Sequence, residues 1–293
     1  MKKATSIEEQ ITTLQNRGMK IGNTDNAKKV LSDIGYYRLG FYWFPYEQTY
    51  PERTNRNHNF VSDTTFEKSV LLYDFDFKLR SILSPYLYRI EVNLRTALTY
   101  IISNDFKDNP IWFSDPEYVT ETFVKYLPVC YNTVKKSSAI KCHHINHRDD
   151  IYAPAWKTLE YMSFGDIIFL YKSIKDTEER RKIPNHFDYT NERIFNNHIE
   201  TIKVLRNQCA HGHNVFDLNL QKSIRKGFLN EIVGDRIHNI LGCMIVASHL
   251  LETISNDVKE SFLKEIKSLV EDPKYSDVKE KIQSVSMFVN LDI

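Results

Sequence analysis

The sequence predicts an all-α protein from two observations. Glycine and proline, the residues that most often interrupt helices, number only 9 each in the 293 residues. Long stretches repeat apolar residues every three or four positions, the spacing that gives an amphipathic helix one buried face. A chain of this length is long enough for a substantial core and forms either one large domain or two smaller ones.

The N-terminal segment predicts two short helices and an aromatic cluster. Residues 7–31 carry the two helices, with a break at residues 18–23. Residues 36–46 are rich in Tyr, Phe and Trp. Large aromatic side chains in a row favour a core between helices, because each buries much apolar area. The alternative is a surface on which RNA bases stack, with Arg38 and tyrosine hydroxyls as RNA contacts.

A domain division is predicted at residue 65. Residues 51–63, rich in Asn, Arg and Thr, predict an exposed connection. We therefore separate an N-terminal helical and aromatic region, residues 1–65, from a helical domain, residues 66–293. No internal repeat or low-complexity linker marks the boundary, so one continuous domain is the alternative.

The longest predicted helix covers residues 74–102, where apolar side chains recur at helical spacing. Pro85 lies inside this pattern and predicts a kink, or a division of the helix near Ser84. Glu91 and Arg95 are charged residues within the apolar stripe. Because they are four residues apart, they can pair across one turn. Such a pair has either a structural role or a role in positioning an active site.

The C-terminal part of the chain predicts three more helices. Residues 190–211 have helical periodicity and are followed by Gly212, which ends the helix. Residues 237–254 are rich in apolar residues, and residues 258–270 are amphipathic. All three segments fit the all-α prediction.

The last turns of the helix at residues 190–211 carry Arg206, Asn207 and His211. Arginine is charged at any physiological pH and offers a fork of donors to phosphate oxygens. Histidine, with a pKa of about 6.5, exchanges protons near neutrality. RNA supplies its own nucleophile, the 2′-hydroxyl. An Arg and a His can therefore stabilise the phosphorane and move protons without a metal ion.

The same residues also fit an ordinary helix end. Five residues turn a helix by about 140°, so the side chains of Arg206 and His211 share a face only if the helix ends or kinks there. The alternative to a catalytic pair is an Arg that caps helix carbonyls and a His at a helix C-terminus.

The net charge of +1 does not by itself indicate a nucleic-acid-binding protein. The charge is unevenly distributed, however, because residues 122–148 contain no Asp or Glu. The cations of this segment that are candidates for RNA binding are Lys135, Lys136, Lys141 and Arg148. Such a patch can pair with phosphates. The alternative is a solvated loop without a ligand.

Cysteine and histidine residues raise two further questions. The cluster Cys142, His143, His144 and His147 suggests zinc, but the second close pair of ligands typical of structural zinc sites is missing, so we predict no metal. Four scattered cysteines do not form a disulfide framework and favour a reducing compartment. No apolar run reaches the length that spans a bilayer. We expect a cytoplasmic protein without a membrane partner.

Several short segments stand in an order typical of one protein family. They are residues 6–11, 14–18, 27–31, 34–42, 72–80, 89–95, 155–160, 163–165 and 206–211. In these segments the chain resembles the Abi family of abortive-infection proteins, the AbiD/AbiF-like phage-resistance group of the HEPN superfamily of RNases. The family continues after the His with an Arg and a Trp, whereas this chain continues with Gly212-His213-Asn214-Val215-Phe216.

The resemblance implies a HEPN-like helical bundle with additional N-terminal and C-terminal helices, and a metal-independent endoribonuclease without a cofactor. Such RNases generally join two Arg-x4-6-His motifs across a two-fold axis, so the resemblance at residues 206–211 implies a homodimer. By this resemblance His211 is the general acid or base, Arg206 stabilises the phosphorane, and Asn207 orients the pair. Glu160 and His213 are the supporting residues.

The implied partners are RNA as substrate, a small structured RNA as a possible regulator, and a phage-encoded trigger. Two other functions stay open. One is an RNA-binding protein that does not cut, or a toxin component restrained by a small structured RNA. The other is an interaction protein that senses a phage component and depends on a different effector.

Overall fold

The computed structural model describes residues 3–288 and consists of α-helices joined by turns and short 3-10 segments. Residues 3–288 contain 13 α-helices and no β-sheet, which confirms the all-α prediction. The helices are α1 (Ile7–Asn16), α2 (Thr24–Asp33), α3 (Tyr36–Trp43), α4 (Phe66–Asp105), α5 (Glu121–Val134), α6 (Ser138–Asn146), α7 (Ala155–Thr158), α8 (Phe164–Ser173), α9 (Thr177–His186), α10 (Glu192–Ala210), α11 (Ile240–Ile254), α12 (Asn256–Val270) and α13 (Lys279–Ser286).

The 40-residue helix α4 is the element on which much of the fold is built. With a rise of about 1.5 Å per residue, it is about 60 Å long. Helices α3, α9, α10, α11 and α12 all pack against it. Pro85 lies within α4 and the helix continues past it, so the alternative of a division near Ser84 is wrong and the kink stays a prediction. Proline removes one helical hydrogen bond, and the fully buried Leu83 and Leu87 hold the helix on both sides of it.

The N-terminal helices α1 and α2 are separated by residues 17–23, as the sequence predicts. Helix α1 begins with a capping box, in which the Ser6 hydroxyl accepts the N–H of Glu9 and the Glu9 carboxylate accepts the N–H of Ser6. Helix α3 begins after Gly35, whose φ of +88° suits glycine. Because α3 packs on α4, it places the aromatic cluster against the longest helix.

The aromatic cluster at residues 36–46 divides between core and surface. Its buried members include Tyr42, Trp43, Phe44 and Tyr46. The core interpretation is confirmed for these four. Tyr37 and Phe41, in contrast, are 85% and 42% exposed. Because residues four apart share one face of a helix, one outer stripe of α3 presents both rings to solvent.

Helix α10 ends within the Arg-His motif, which consists of residues 206–211. Asn191 caps its start, the helix ends at Ala210, and Gly212 follows with a φ of +65°. The buried side chains are Phe195, His198, Ile199, Thr201, Ile202, Leu205 and Cys209. Near the start of the helix, Phe195 is buried while Ile194 is only partly covered. These side chains pack α10 against α4, α8, α9 and α11.

The C-terminal helices α11 and α12 lie where the sequence predicts them, and they pack on each other and on α4. Helix α4 begins at Phe66, directly after the predicted domain boundary. Buried side chains from before and after this point form one continuous hydrophobic cluster. The division into two domains at residue 65 stays a prediction.

Candidate functional site

Arg206 of α10 is anchored by a buried acid of α4. Its Nε donates a hydrogen bond to Glu91 Oε2 at 3.0 Å. Glu91 is only 3% exposed, whereas 34% of the Arg206 side chain reaches solvent. A guanidinium has four further N–H donors on its two terminal nitrogens. The pair therefore fixes Arg206 and leaves terminal donors that suit a phosphate.

Glu91 is shared between two arginines. Arg95 Nη2 donates to Glu91 Oε1 at 2.9 Å, which is the pair expected from the four-residue spacing. Arg95 Nη1 donates to backbone carbonyls in the turn at residues 159–162. A buried carboxylate is tolerated when it is paired and hydrogen-bonded in this way. The network connects Arg206 through α4 to that turn.

His211 is the residue that follows the last turn of α10, and it is exposed. Its N–H donates to the Asn207 carbonyl at 3.0 Å, and the Asn207 side-chain oxygen accepts from Arg206 Nη1 at 3.4 Å. Asn207 thus contacts both residues of the motif. The His211 and His213 rings lie 6.0 Å apart, and His213 Nδ1 is 2.7 Å from Gln208 Oε1.

A second buried acid of α4, Asp76, binds the chain just after the motif. Its Oδ1 accepts the N–H groups of Val215 at 3.0 Å and Phe216 at 2.8 Å. Its Oδ2 accepts the Tyr42 hydroxyl at 2.8 Å and a hydrogen bond from Arg80. The carboxylate is fully buried, and these four donors replace the water that it loses. The chain after the motif is thereby fixed to α3 and α4.

Two arginines hold the intervening carbonyl groups. Arg80 Nη1 donates to the His213 carbonyl at 3.1 Å, and Arg38 Nη1 donates to the Gly212 carbonyl at 2.6 Å. Gly212 has the left-handed backbone conformation that glycine adopts without strain. Side chains of α3 and α4 therefore set the path of the turn at residues 212–216, which begins directly after the motif.

A family model described as "Abi-like protein" matches residues 29–217, well over half of the chain. The chain belongs to the Abi-like family. This confirms the family resemblance inferred from the sequence, and membership points to abortive-infection defence. No curated protein and no solved structure matches the chain. Both buried acids and the Arg-His motif of this Abi-like protein lie inside the matched range.

The acid that contacts Arg206 in the Abi-like protein is Glu91, whereas the family resemblance names Glu160 as the supporting acid. The Glu160 side chain is exposed, and its backbone carbonyl accepts a hydrogen bond from Arg95 Nη1 at 3.0 Å. Glu160 is thus joined to the network through its main chain. A supporting role for its carboxylate stays a prediction.

The predicted RNA-binding cations lie on other elements of the Abi-like protein. Lys135 and Lys136 follow α5, Lys141 lies on α6, and Arg148 lies in the loop after α6. All four residues are exposed. Helix α5 packs on α8, and α6 packs on α7, whereas the Arg-His motif lies on α10. Of the predicted RNA contacts, only Arg38 adjoins the motif, through the Gly212 carbonyl.

The histidine cluster that suggests zinc has a structural member. His143 is buried, its Nε2 lies 2.9 Å from an Asp150 carboxylate oxygen, and burial lowers its pKa. In the part of the chain that the structure describes, no group of three or more His, Cys, Asp and Glu side chains is placed to hold a metal ion. Among residues 3–288, no helix combines the length and the apolar character needed to cross a membrane.

Sequence reasoning missed Asp76 and Arg80 as parts of this region. A signal was available, because the two are four residues apart in a largely apolar helix, as Glu91 and Arg95 are. The spacing does not predict the tertiary partners of these two residues. The bond from Val215 to Asp76 spans 139 positions of the chain, and no periodic pattern encodes it.

Proposed function

We propose that this Abi-like protein acts in abortive-infection defence as a metal-independent endoribonuclease of the HEPN type. The observation that carries the proposal is the arrangement at the end of α10. Arg206 is partly exposed and held by a buried acid, and His211 is exposed five residues later. A fixed cation and a titratable surface group supply the two functions that transesterification of RNA requires.

In the proposed reaction, the 2′-oxygen of one nucleotide forms a bond to the phosphorus on its adjacent 3′-oxygen. The bond from that phosphorus to the 5′-oxygen of the next nucleotide breaks. A neutral His211 takes the proton of the 2′-hydroxyl. A protonated His211 gives a proton to the departing 5′-oxygen. Arg206 stabilises the negative charge that builds up on the phosphorane oxygens. The products are a 2′,3′-cyclic phosphate and a 5′-hydroxyl.

The scheme assigns the two proton transfers to two copies of His211, because one side chain cannot be both deprotonated and protonated at the same moment. The Arg-x4-His spacing occurs in the chain at Arg53, Arg181, Arg193 and Arg206, and each copy of the chain contributes to the proposed site only the pair that ends at His211. We therefore propose a homodimer in which the two motifs face each other across a two-fold axis. The exposure of His211 and His213 supports a site that is open to a second copy.

Glu91 and Asn207 have positioning roles in this proposal. Glu91 binds Nε of Arg206, so the terminal nitrogens stay available for phosphate oxygens. The Asn207 side-chain oxygen accepts from one of those terminal nitrogens, and the Asn207 main-chain carbonyl accepts the main-chain N–H of His211. Asn207 thereby helps to set the position of one residue relative to the other. His213 is a second exposed imidazole beside His211 and has the supporting role.

RNA is the proposed partner, and the exposed cations at residues 135, 136, 141 and 148 are further sites for its phosphates. A small structured RNA that restrains the enzyme and a phage-encoded trigger are proposed with it. The alternative function is an RNA-binding protein that does not cut. The same exposed cations support that alternative, because phosphate binding does not depend on the Arg-His pair.

The decisive experiment incubates purified protein with total cellular RNA in EDTA and maps the fragment ends. The wild type is compared with the Arg206→Ala/His211→Ala double variant. We expect cleavage by the wild type alone, with 2′,3′-cyclic phosphate ends. His147→Ala is the matched control, because it removes another exposed histidine that lies on a different element.

Three outcomes count against the nuclease. Cleavage that persists without His211, or that stops when EDTA is added, excludes the proposed mechanism. Protection of RNA without cutting, by both proteins alike, favours the binding protein. Sedimentation of the wild type tests the homodimer separately, and a strictly monomeric protein that still cuts would exclude the composite site.

A further inference from the structure

A cavity of about 550 Å³ lies between α3 and the turn that follows the Arg-His motif. This volume is within the range of cavities that bind small molecules. Its lining includes Tyr37, Arg38, Phe41, Gln208, Asn214 and Asn219. The lining combines aromatic rings, a cation and side-chain amides, and the proposed cleavage of RNA does not by itself assign a function to it.

The aromatic wall of this cavity is formed by Tyr37 and Phe41 of α3. The two rings meet edge to face, with centroids 5.6 Å apart. Tyr37 is the more exposed of the two at 85%, although other aromatics of the same segment are buried. Aromatic rings that are held by a helix and open to solvent provide a surface on which nucleic acid bases stack.

A positive charge adjoins the aromatic wall. Arg38 is exposed, and Nη1 donates to the Gly212 carbonyl at 2.6 Å. A carbonyl is neutral, so this contact orients the guanidinium without cancelling its charge. Arg53 also lines the cavity, but it is paired with Asp217 at 3.0 Å. The cation suited to a phosphate is therefore Arg38.

The remaining wall carries amide groups next to the motif. Gln208 lies two residues after Arg206 on α10, and Asn214 lies three residues after His211. Amide side chains donate and accept hydrogen bonds, which suits the edges of unpaired bases. The Gln208 side-chain oxygen is 2.7 Å from His213 Nδ1, and this contact leaves the NH₂ group of Gln208 for a ligand. A ligand in the cavity would thus adjoin the proposed cleavage site.

We propose that this cavity binds one unpaired nucleotide of single-stranded RNA, with the base against Tyr37 and Phe41 and the phosphate at Arg38. The inference rests on the proposed function, since it places this nucleotide beside the phosphate that is cut. A paired base is stacked inside a duplex and cannot lie flat on an aromatic ring. The cavity therefore selects single-stranded over double-stranded RNA.

The test measures RNA binding by fluorescence anisotropy with the full chain. His211→Ala is the background, because it prevents the proposed cutting and leaves the pair of Arg206 with Glu91 intact. The probes are a labelled single-stranded RNA of mixed sequence and the same strand annealed to its complement. In this background, Tyr37→Ala should weaken binding of the single strand by about tenfold, which is within the range measured for the loss of one stacking ring.

Two matched variants show whether the effect belongs to the cavity. Tyr37→Phe keeps the ring and should bind the single strand within about twofold of the background, because stacking uses the ring face. Tyr88→Ala removes a 60% exposed tyrosine of α4 that does not line the cavity, and it should leave binding unchanged. Equal binding of single strand and duplex, or equal effects of Tyr37→Ala and Tyr88→Ala, would overturn the proposal.

The nuclease and the nucleotide site can fail separately. In a protein with intact His211, Tyr37→Ala should raise the KM for single-stranded RNA and leave the fragment ends unchanged. If the wild type cuts RNA, and Tyr37→Ala binds and cuts RNA as well as the wild type does, the nuclease stands and the nucleotide site is wrong. If single-stranded RNA binds through Tyr37 and no cutting occurs, the nucleotide site stands and the nuclease is wrong.

Discussion

The two buried acid–arginine pairs of α4 have the same spacing and different surroundings. Asp76 pairs with Arg80 and Glu91 pairs with Arg95, each across one helical turn. Asp76 is completely buried, and its other partners are a tyrosine hydroxyl and backbone N–H groups. Glu91 uses its second oxygen on Arg206, whose side chain is one-third exposed.

This difference separates a contribution to folding from a contribution to the proposed function. Every group bound to Asp76 belongs to the interior or to the main chain, so loss of that acid acts on stability. Glu91 connects the interior to a cation that can reach a substrate. Loss of Glu91 therefore acts on the position of Arg206 as well as on stability.

The largest effect on stability is expected for Asp76→Asn. The change leaves Arg80 as a buried charge without its acid, which costs about 3–5 kcal/mol in the free energy of unfolding. Urea unfolding followed by circular dichroism measures this loss. The matched control is Asp63→Asn, because Asp63 pairs with Lys20 at 2.7 Å on the surface. That variant should lose less than about 1 kcal/mol. Losses of equal size would contradict the assigned role of Asp76.

A different pattern is expected for Glu91→Gln. The amide keeps the shape of the side chain and loses its charge, so Arg206 is held less firmly while Arg95 keeps its backbone carbonyl partners. We expect stability to fall by about 2 kcal/mol. Cleavage of RNA by the folded variant should fall by about 100-fold, since small displacements of a catalytic group have effects of that size.

The measurement for Glu91→Gln is the cleavage rate at a temperature where circular dichroism shows the variant to be folded. Asp76→Asn, assayed in the same way, should lose cleavage only in proportion to its unfolded fraction. A Glu91→Gln protein that is folded and cuts RNA at the wild-type rate would remove the positioning role. The comparison of the two acids would then concern stability alone.

Sequence spacing predicts the contact between each acid and the arginine four residues later on α4. It does not predict the contacts of these acids with other parts of the fold. The spacing of Glu91 and Arg95 predicts their contact, because an α-helix brings residues four apart together. The contact from Arg206 to Glu91 joins positions 115 apart, and it depends on how α10 packs on α4. For that reason the sequence names Glu160 as the supporting acid, and the contact of Glu91 with Arg206 is not predicted from it.

The same limit applies to the helices. Periodicity predicts α4, but the effect of Pro85 depends on the neighbours that bury Leu83 before it and Leu87 after it, and a propensity rule lacks that information. In the aromatic cluster, composition predicts a core. Only the orientation of α3 on α4 decides that Tyr42 faces inward and Tyr37 faces solvent.

A third buried polar group, His198 of α10, is neutral and sharpens the comparison with the two charged clusters. Its Nε2 lies 2.6 Å from the Arg225 carbonyl, which can only accept, so Nε2 carries the proton. Its Nδ1 then accepts the Tyr189 hydroxyl at 2.8 Å. Burial lowers the pKa of His198 to about 4.

This lowered pKa predicts a loss of stability in mild acid. Below a pH of about 6.5 the unfolded chain binds a proton at this histidine, and the folded chain does not. Its contribution to stability is complete above that pH and falls by up to about 1.4 kcal/mol per pH unit on the way down to the folded pKa. Urea unfolding at several pH values measures this slope. His198→Gln should flatten it, and an unchanged slope would assign the acid sensitivity to other groups.

The smallest effect on stability is expected for exposed cations that are distant in sequence from Asp76 and Glu91. Lys135→Ala/Lys136→Ala should leave the free energy of unfolding within about 0.5 kcal/mol of wild type, because exposed substitutions remove little packing. If the two lysines bind phosphates of single-stranded RNA, the slope of log affinity against log salt should fall by about 1.4, or about 0.7 for each phosphate contact. Lys264→Ala/Lys267→Ala is the control, since it removes two exposed lysines of α12. Equal slopes for both double variants would identify residues 122–148 as a solvated segment and leave Arg38 as the phosphate contact nearest the motif.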